Sequence, residues 1–361
     1  MLFFFSMGYR RLSIFPSSEN INESKFSILI PFRNEGEQLP GLLQSLDQLD
    51  YPKKNFEVWM INDESSDNSL EAIHTFTSDN PNLQIRIIDN NRKTNSAKKD
   101  AILSGIELSN FNWIITTDAD CRVPENWLKL YDQAIKTYEP VLLAAPVGYT
   151  NIKNTVLDQI QFFEFLSLQI ITIGAFGLGK PFMCNGANLC YHKTTFLSLN
   201  GFEGNEDFAG GDDLFLMEKM LEQYPKSVHF IKHKDCMVNT KTENSWNAFF
   251  SQRIRWAAKS GGYKKRIGKL TGLIVFFGNL TLVVLLLSAF FYPQIWAFAL
   301  LSIIIKILAD LSLIVNGKVL FNRPIVPLFF LVSSLIYPFL NVYIGFQSFF
   351  GFTWKERRYQ K

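Results

Sequence analysis

Thr116-Thr117-Asp118-Ala119-Asp120-Cys121 directly follows the apolar run Trp113-Ile114-Ile115. That run reads as a buried strand, so Asp118 and Asp120 fall in the loop at its carboxyl end. Ligands of open α/β sheets bind at that edge. Two carboxylates one residue apart there can share a hard cation, and the cation can clamp a diphosphate. An Asp-x-Asp also occurs in solvated turns and helix caps, so the surrounding chain has to decide between the readings.

Upstream, the same alternation repeats. Residues 26–32 (FSILIPF), 56–62 (FEVWMIN), 83–88 and 112–117 have the apolar, β-branched character of buried strands. Between them, Leu39, Leu42, Leu43, Leu46 and Leu49 recur at helical spacing, and helices are expected over Asp67–Thr77 and Ala97–Leu108. The order β-α-β-α-β-α-β predicts an α/β domain with a mainly parallel sheet covered on both faces. No G-x-G-x-x-G follows the first strand, so the shape is nucleotide-binding without the dinucleotide fingerprint.

Each strand end carries polar groups. Pro31-Phe32-Arg33-Asn34-Glu35 ends the first strand, and Asn62-Asp63-Glu64-Ser65-Ser66-Asp67 ends the second. Asp63 can accept a hydrogen bond from a base imide or a ribose hydroxyl, whereas Asp67 reads as an N-cap for the next helix. Lys98, in the turn before its helix, can meet phosphate. Lys99 is the weaker choice, and a solvated helix lysine is the plain alternative for both.

Further on come Asn185-Gly186-Ala187-Asn188, Gly201-Phe202 and Gly210-Gly211-Asp212-Asp213-Leu214. The glycine pair lets backbone approach a substrate and starts a helix at two carboxylates, one of them a candidate general base. Helix capping competes with that role, more strongly at Asp212 than at Asp213. Glu206 and Asp207 are rival acids. In Gln252-Arg253-Ile254-Arg255-Trp256, residues Gln252, Arg255 and Trp256 share one helix face. A guanidinium there can stabilise a leaving diphosphate, and an indole can wall a sugar or lipid head. The alternative is a surface helix with Arg and Trp among lipid head groups.

The 361 residues allow one large domain or two ordinary ones. Charged residues make up only 19%, against ~25% in a typical soluble domain. The deficit concentrates beyond Leu270. Thr271–Phe291 is uncharged and long enough to span a bilayer, Gln294–Val315 contains only Lys306 and Asp310, and Ile325–Phe350 is uncharged with Pro338 inside. Lys306 and Asp310 lie four apart and can pair. Residues 156–176 are apolar but broken by Asp158, Gln159, Gln161, Glu164 and Gln169. They read as a helix on a membrane surface or lining a groove, or as an ordinary core helix. Met1–Phe5 is too short to span and reads as the stub of a longer anchor. Cations at 259–269 and 355–361 flank apolar runs, which suits a membrane surface rather than nucleic acid. Four cysteines at 121, 184, 190 and 236 show no zinc or C-x-x-C spacing and read as small buried residues of a reducing compartment.

Taken together, the ordered set IPFRNE, INDESSD, AKKDAI, TTDAD, CNGANLCYHKTTF, GF, GGDD and QRIRW resembles the family 2 glycosyltransferases, over Ser27 to about Trp256. The resemblance implies the A-type glycosyltransferase fold followed by C-terminal transmembrane helices. It implies a nucleotide-sugar donor, UDP- or GDP-linked, held by Pro31, Glu35, Asp63, Lys98 and Asp118. By the same mapping Asp120 binds Mn²⁺ or Mg²⁺, Asp213 is the catalytic base, and Gln252, Arg255 and Trp256 form a Q-x-x-R-W motif. That motif occurs in ceramide glucosyltransferases and in cellulose, chitin and hyaluronan synthases. Here the usual Glu-Asp pair is Asp212-Asp213. The expected function is inverting sugar transfer to a lipid or lipid-linked acceptor at the cytoplasmic membrane. A processive polysaccharide synthase and a non-catalytic export scaffold are the alternatives. The expected divisions are a juxtamembrane segment 1–25, a catalytic domain 26–240, an interfacial region 241–270, a membrane domain 271–350 and a basic tail 351–361.

Overall fold

The computed structural model describes residues 1–17, 23–150, 152–204, 210–258, 265–321, 323–354 and 357–359. Glu206 and Asp207, the first part of the 259–269 cation cluster, and Lys355 and Lys361 lie outside them. The chain opens with α1 (Leu2–Arg11), β1 (Phe26–Phe32), α2 (Leu39–Asp47), β2 (Phe56–Asn62) and α3 (Ser69–Asp79). Then come β3 (Ile85–Asp89), α4 (Ala97–Leu108), β4 (Trp113–Thr116), α5 (Trp127–Tyr138), β5 (Leu142–Ala144) and β6 (Val147–Tyr149). A long helix α6 (Val156–Gly177) precedes β7 (Leu189–His192), α7 (Lys193–Ser198), α8 (Leu214–Gln223), β8 (Val228–Phe230) and β9 (Val238–Thr240). Last are α9 (Trp246–Ala258), α10 (Arg266–Phe291), α11 (Trp296–Phe321), α12 (Pro327–Gln347), β10 (Phe352–Trp354) and β11 (Arg357–Tyr359).

Two compact units divide this chain. One comprises residues 13–148 and 183–241. Its seven-stranded sheet has the order β3-β2-β1-β4-β7-β5-β8. The first four strands are mutually parallel, as the alternation predicted, while β7 runs antiparallel to both β4 and β5. Strands β1 and β2 are almost wholly buried, which is why they read as continuous apolar runs rather than alternating ones. Pro31 sits in β1 beyond the last residue paired with β4, where no ladder bond to that neighbour is lost. All four cysteines are free.

The other unit comprises residues 1–12, 149–182 and 242–361. This differs from the sequence-based ranges in α6, which groups with α1 and the C-terminal helices and not with a continuous 26–240 domain. Among the described residues, four helices, α6 and α10 to α12, are long and apolar enough to cross a membrane. They are not alike. In α6 72% of the apolar stretch is buried, against 22%, 17% and 28% in the three C-terminal segments. Helix α6 is thus a core helix of its unit, packed by α1, α11 and α12. Gly8 of α1 and Gly174 of α6 permit the backbones to touch, since a Cβ on either would overlap the other chain segment. Lys306 and Asp310 pair along α11, as their spacing predicted.

Candidate active site

Because β1, β2 and β4 are adjacent and parallel, their carboxyl ends share one edge. The chain turns sharply there: Asn34 (φ 51°) and Glu64 (φ 58°) adopt left-handed backbone just past β1 and β2. The two loops are tied to each other. Ser66 N donates to Asn34 Oδ1 at 2.8 Å, Glu35 N donates to Ser69 Oγ at 2.8 Å, and Gly36 N donates to Asp67 Oδ2 at 2.9 Å. Helix α3 starts at Ser69, with Asn68 in the capping position; Asp67 reaches its first turn by accepting from Ser69 N at 3.0 Å. Asp67 therefore joins both loops as well as supporting the helix. Burial works to raise its carboxyl, but the bonds from Ser69 and Gly36 prevail and hold it below its ordinary value.

Asp63 is buried at the end of β2 and accepts from Asn90 Nδ2 at 2.8 Å, with Arg92 Nε 3.9 Å away. Arg33 donates to the Asp63 carbonyl at 2.8 Å. Asn90 and Arg92, in the loop after β3, had no signal in the sequence beyond their place at a strand end.

Past β4, the charge of one lysine is felt by three carboxylates, Asp118, Asp212 and Asp213. Lys98, in the first turn of α4, lies 2.7 Å from Asp118 Oδ1 and 3.3 Å from Asp212 Oδ2. Burial alone would lower its pKa, yet Asp118, Asp212 and Asp213 raise it, so the ammonium is firmly charged. The sequence offered Lys98 for phosphate; the fold sets it between two acids. Asp120 accepts from Thr240 Oγ1 at 2.9 Å and from the Cys121 thiol at 3.7 Å. Burial and the neighbouring Asp118 charge raise the Asp120 pKa.

The acid pair ahead of α8 reverses the expected capping. Asp213, not Asp212, is the cap. It accepts from Leu214 N at 2.7 Å and from Gly186 N at 3.0 Å. The helix starts one residue later than expected, which moves the cap by one. Gly186 is needed at this contact, because a Cβ there would lie 2.7 Å from Asp212 Oδ2. Its carbonyl accepts from Thr116 Oγ1 at 2.7 Å, which ties the loop to β4. Nearby Asn188 is fully buried and saturated: Trp127 and Tyr131 donate to it at 2.8 Å, and it donates to the carbonyls of Pro146 and Cys236. It is a framework residue that quoting the NGAN stretch did not single out.

Among the described residues no three His, Cys, Asp or Glu side chains converge as a complete metal cage. The donor set nevertheless suits a cation held partly by substrate. Asp118 and Asp120 repel one another, and a divalent ion between them would relieve that repulsion. Mg²⁺-type sites commonly use one or two carboxylates and take their remaining ligands from water and substrate phosphates.

Gln252, Arg255 and Trp256 belong to the other unit, on α9. There Gln252 Nε2 donates to Glu243 Oε1 at 2.6 Å, and the Trp256 ring packs 6.1 Å from Phe165 of α6. The polar residues that interrupt α6 face this segment. Asp158 accepts from Thr242, Gln161 exchanges two bonds with the Glu243 backbone, and Glu164 pairs with Arg253.

Comparison with known proteins agrees with this architecture. The glycosyl transferase family 2 pattern matches residues 27–194, and that of glycosyl transferase family group 2 matches residues 113–341. The chain belongs to glycosyl transferase family group 2. It is 25% identical over 258 residues to the poly-beta-1,6-N-acetyl-D-glucosamine synthase of Staphylococcus epidermidis, covering 70% of this chain and 58% of that one. It is 25% identical over 268 residues to the probable glycosyltransferase YdaM of Bacillus subtilis, covering 71% and 61%. The chain thus spans about three-fifths of these relatives. Among solved structures, a Pyrobaculum calidifontis mannosyltransferase in complex with GDP-Man and Mn²⁺ superposes with a TM-score of 0.60 at 13% identity, over 96% of this chain and 92% of that one. At that identity the likeness is one of fold: an A-type glycosyltransferase domain, followed here by apolar helices.

Proposed function

We propose that this chain is a membrane-anchored, inverting glycosyltransferase that moves a sugar from a UDP- or GDP-linked donor to a lipid or lipid-linked acceptor. The observation that carries the proposal is the pairing of Lys98 with Asp118 and Asp212, with Asp213 beside them and Asp120 beside Asp118, at the carboxyl edge of a parallel sheet. In this reading Asp63, with Pro31, Glu35, Lys98 and Asp118, receives the nucleotide sugar. Asp118 and Asp120 would hold Mn²⁺ or Mg²⁺, which supplies positive charge to the donor diphosphate. The mannosyltransferase of similar fold is in complex with GDP-Man, a donor of this class.

Asp213 takes the proton from the acceptor hydroxyl, and the oxygen attacks the anomeric carbon as the bond to the nucleoside diphosphate breaks, with inversion. Among the described residues no lysine or arginine lies within ion-pair distance of Asp213, whereas Asp212 is neutralised by Lys98. Asp213 is therefore the better base. Arg255 counters charge on the leaving group, and Gln252 and Trp256 hold the acceptor. The catalytic unit faces the cytoplasm, where nucleotide sugars are made.

A second reading, processive polysaccharide synthesis, is favoured by the similarity to a poly-beta-1,6-N-acetyl-D-glucosamine synthase. Membranes carrying the protein, supplied with radiolabelled nucleotide sugars and Mn²⁺, separate the two. Label in the lipid extract supports the first, and label in insoluble polymer supports the second. Label in neither, across UDP- and GDP-linked donors, overturns the assignment.

A further inference from the structure

We infer that Arg253, the first of the two residues between Gln252 and Arg255 that the Q-x-x-R-W pattern leaves unspecified, is the positioning residue that sets both Gln252 and Trp256. This rests on the proposed role of those two side chains in acceptor binding.

The geometry is unusually complete for one side chain. Arg253 is 3% exposed. Its Nε donates to Glu164 Oε2 at 2.7 Å, and both partners are buried. One terminal nitrogen donates to Gln252 Oε1 and the other to the Tyr149 hydroxyl at 3.4 Å. The guanidinium carbon lies 4.4 Å from the Trp256 ring centre and 4.7 Å from that of Phe249. On a helix, Phe249, Arg253 and Trp256 stand at i−4, i and i+3, so the guanidinium is flanked by one ring a turn before it and another a turn after it.

Gln252 is held from both ends. Arg253 fixes its oxygen, and Glu243 fixes its amide nitrogen. Glu243 is in turn held by Gln161. A single buried charge thus governs the rotamer of Gln252 and the tilt of the Trp256 indole, and it ties both to α6 through Glu164. A lysine cannot replace it: an ammonium lacks the planar fork needed to donate in three directions while stacking on two rings. A buried pair of this kind stabilises little relative to apolar residues, so the role assigned to it here is geometric.

The test compares Arg253→Lys, Glu164→Gln, Gln252→Ala, Trp256→Ala and the swap Glu164→Arg/Arg253→Glu, all in the full-length protein. Three readouts are taken: thermal midpoint, kinetics with donor and acceptor varied separately, and acrylamide quenching of Trp256, read as the difference from a Trp256→Phe partner. Arg253→Lys is expected to lower kcat/KM for the acceptor roughly 10²-fold, the cost of a misplacement near 1 Å. The KM for the nucleotide sugar stays within about twofold, since Arg253 touches none of its proposed ligands. Trp256 becomes more accessible to quencher.

The swap should recover the thermal midpoint without recovering transfer. Recovery of both would make the pair merely structural and overturn the inference. So would unchanged Trp256 quenching in Arg253→Lys, a result that needs no activity at all. If Gln252→Ala and Trp256→Ala leave transfer intact, the acceptor role itself is wrong. If those two lose transfer and Arg253→Lys does not, only the clamp is wrong.

Discussion

Thr240 donates a 2.9 Å hydrogen bond to Oδ2 of Asp120, across 120 residues of chain. The bond aims a half-buried carboxylate whose proton affinity is raised by desolvation and by Asp118. Replacing Asp120 with Asn removes a charged ligand from a site proposed to hold a hard cation. Calorimetric titration of UDP or GDP in Mn²⁺ should show at least a tenfold loss of affinity for Asp120→Asn, and a smaller loss for Thr240→Val. Unchanged metal-dependent affinity in Asp120→Asn would remove the metal assignment.

Asn can cap a helix nearly as well as Asp. Asp213→Asn therefore keeps an acceptor for Leu214 N, and loses the charge together with the bond from Gly186 N. Turnover should fall by roughly 10²–10⁴ with donor binding intact. Asp212→Asn should act differently, by releasing Lys98 from one of its two partners. If Asp212→Asn abolishes transfer and Asp213→Asn does not, the base is the neighbour.

The parts of this site that could be read directly were those written within one turn of a strand end. Asp63, Asp118 and Asp120 needed only the strand assignments. What could not be read depends on contacts far apart in sequence: Thr240 on Asp120, Gly186 on Asp213, Glu164 on Arg253. The same limit explains α6. Its Asp158, Gln161 and Glu164 looked like a polar stripe for lipid heads or a groove, but they are partners for residues 242–253. Strands β5 to β9 run only three or four residues each, too short for any periodicity to register.

Acid sensitivity should trace in part to Glu57. Burial would raise its pKa, but bonds from the Asn110 backbone, Ser27 and the Asn110 side chain outweigh it and lower the value. A carboxylate depressed in the folded state contributes stability that is complete above its unfolded pKa and is lost as pH falls through the folded one. Glu57→Gln should cost about 1–3 kcal/mol at neutral pH, the price of leaving its buried donors less well satisfied. It should also flatten the fall in thermal midpoint below roughly pH 4.5. An equally steep acid limb in the variant would show that other carboxylates set it.

Helices α10 and α12 run antiparallel where they meet: Phe276 packs 5.7 Å from Phe346, and Asn279 bonds Asn341 at 3.4 Å. Three successive full crossings would make them parallel. Strand β10, after α12, packs on α9, ahead of α10. The expected arrangement is a third segment that enters and leaves on one face, bent near Pro338, with the tail on the side where α10 begins. In a Cys184→Ser background, a cysteine appended after Lys361 should react with an impermeant maleimide only after permeabilisation. Labelling of intact cells would mean a plain third span.

The chain leaves the sheet-bearing unit at Gly148, builds α6 elsewhere and returns at Met183. Trimming the C-terminal helices to obtain a soluble enzyme is thus not a clean cut. A fragment ending at Lys241 keeps an apolar helix of 22 residues and discards α11 and α12, which cover it. Such a fragment should aggregate unless detergent takes their place. During synthesis the order is equally constrained, because β7 and β8 cannot join the sheet until α6 has been made. Completion of the sheet therefore follows the appearance of a helix that has to be sheltered from water.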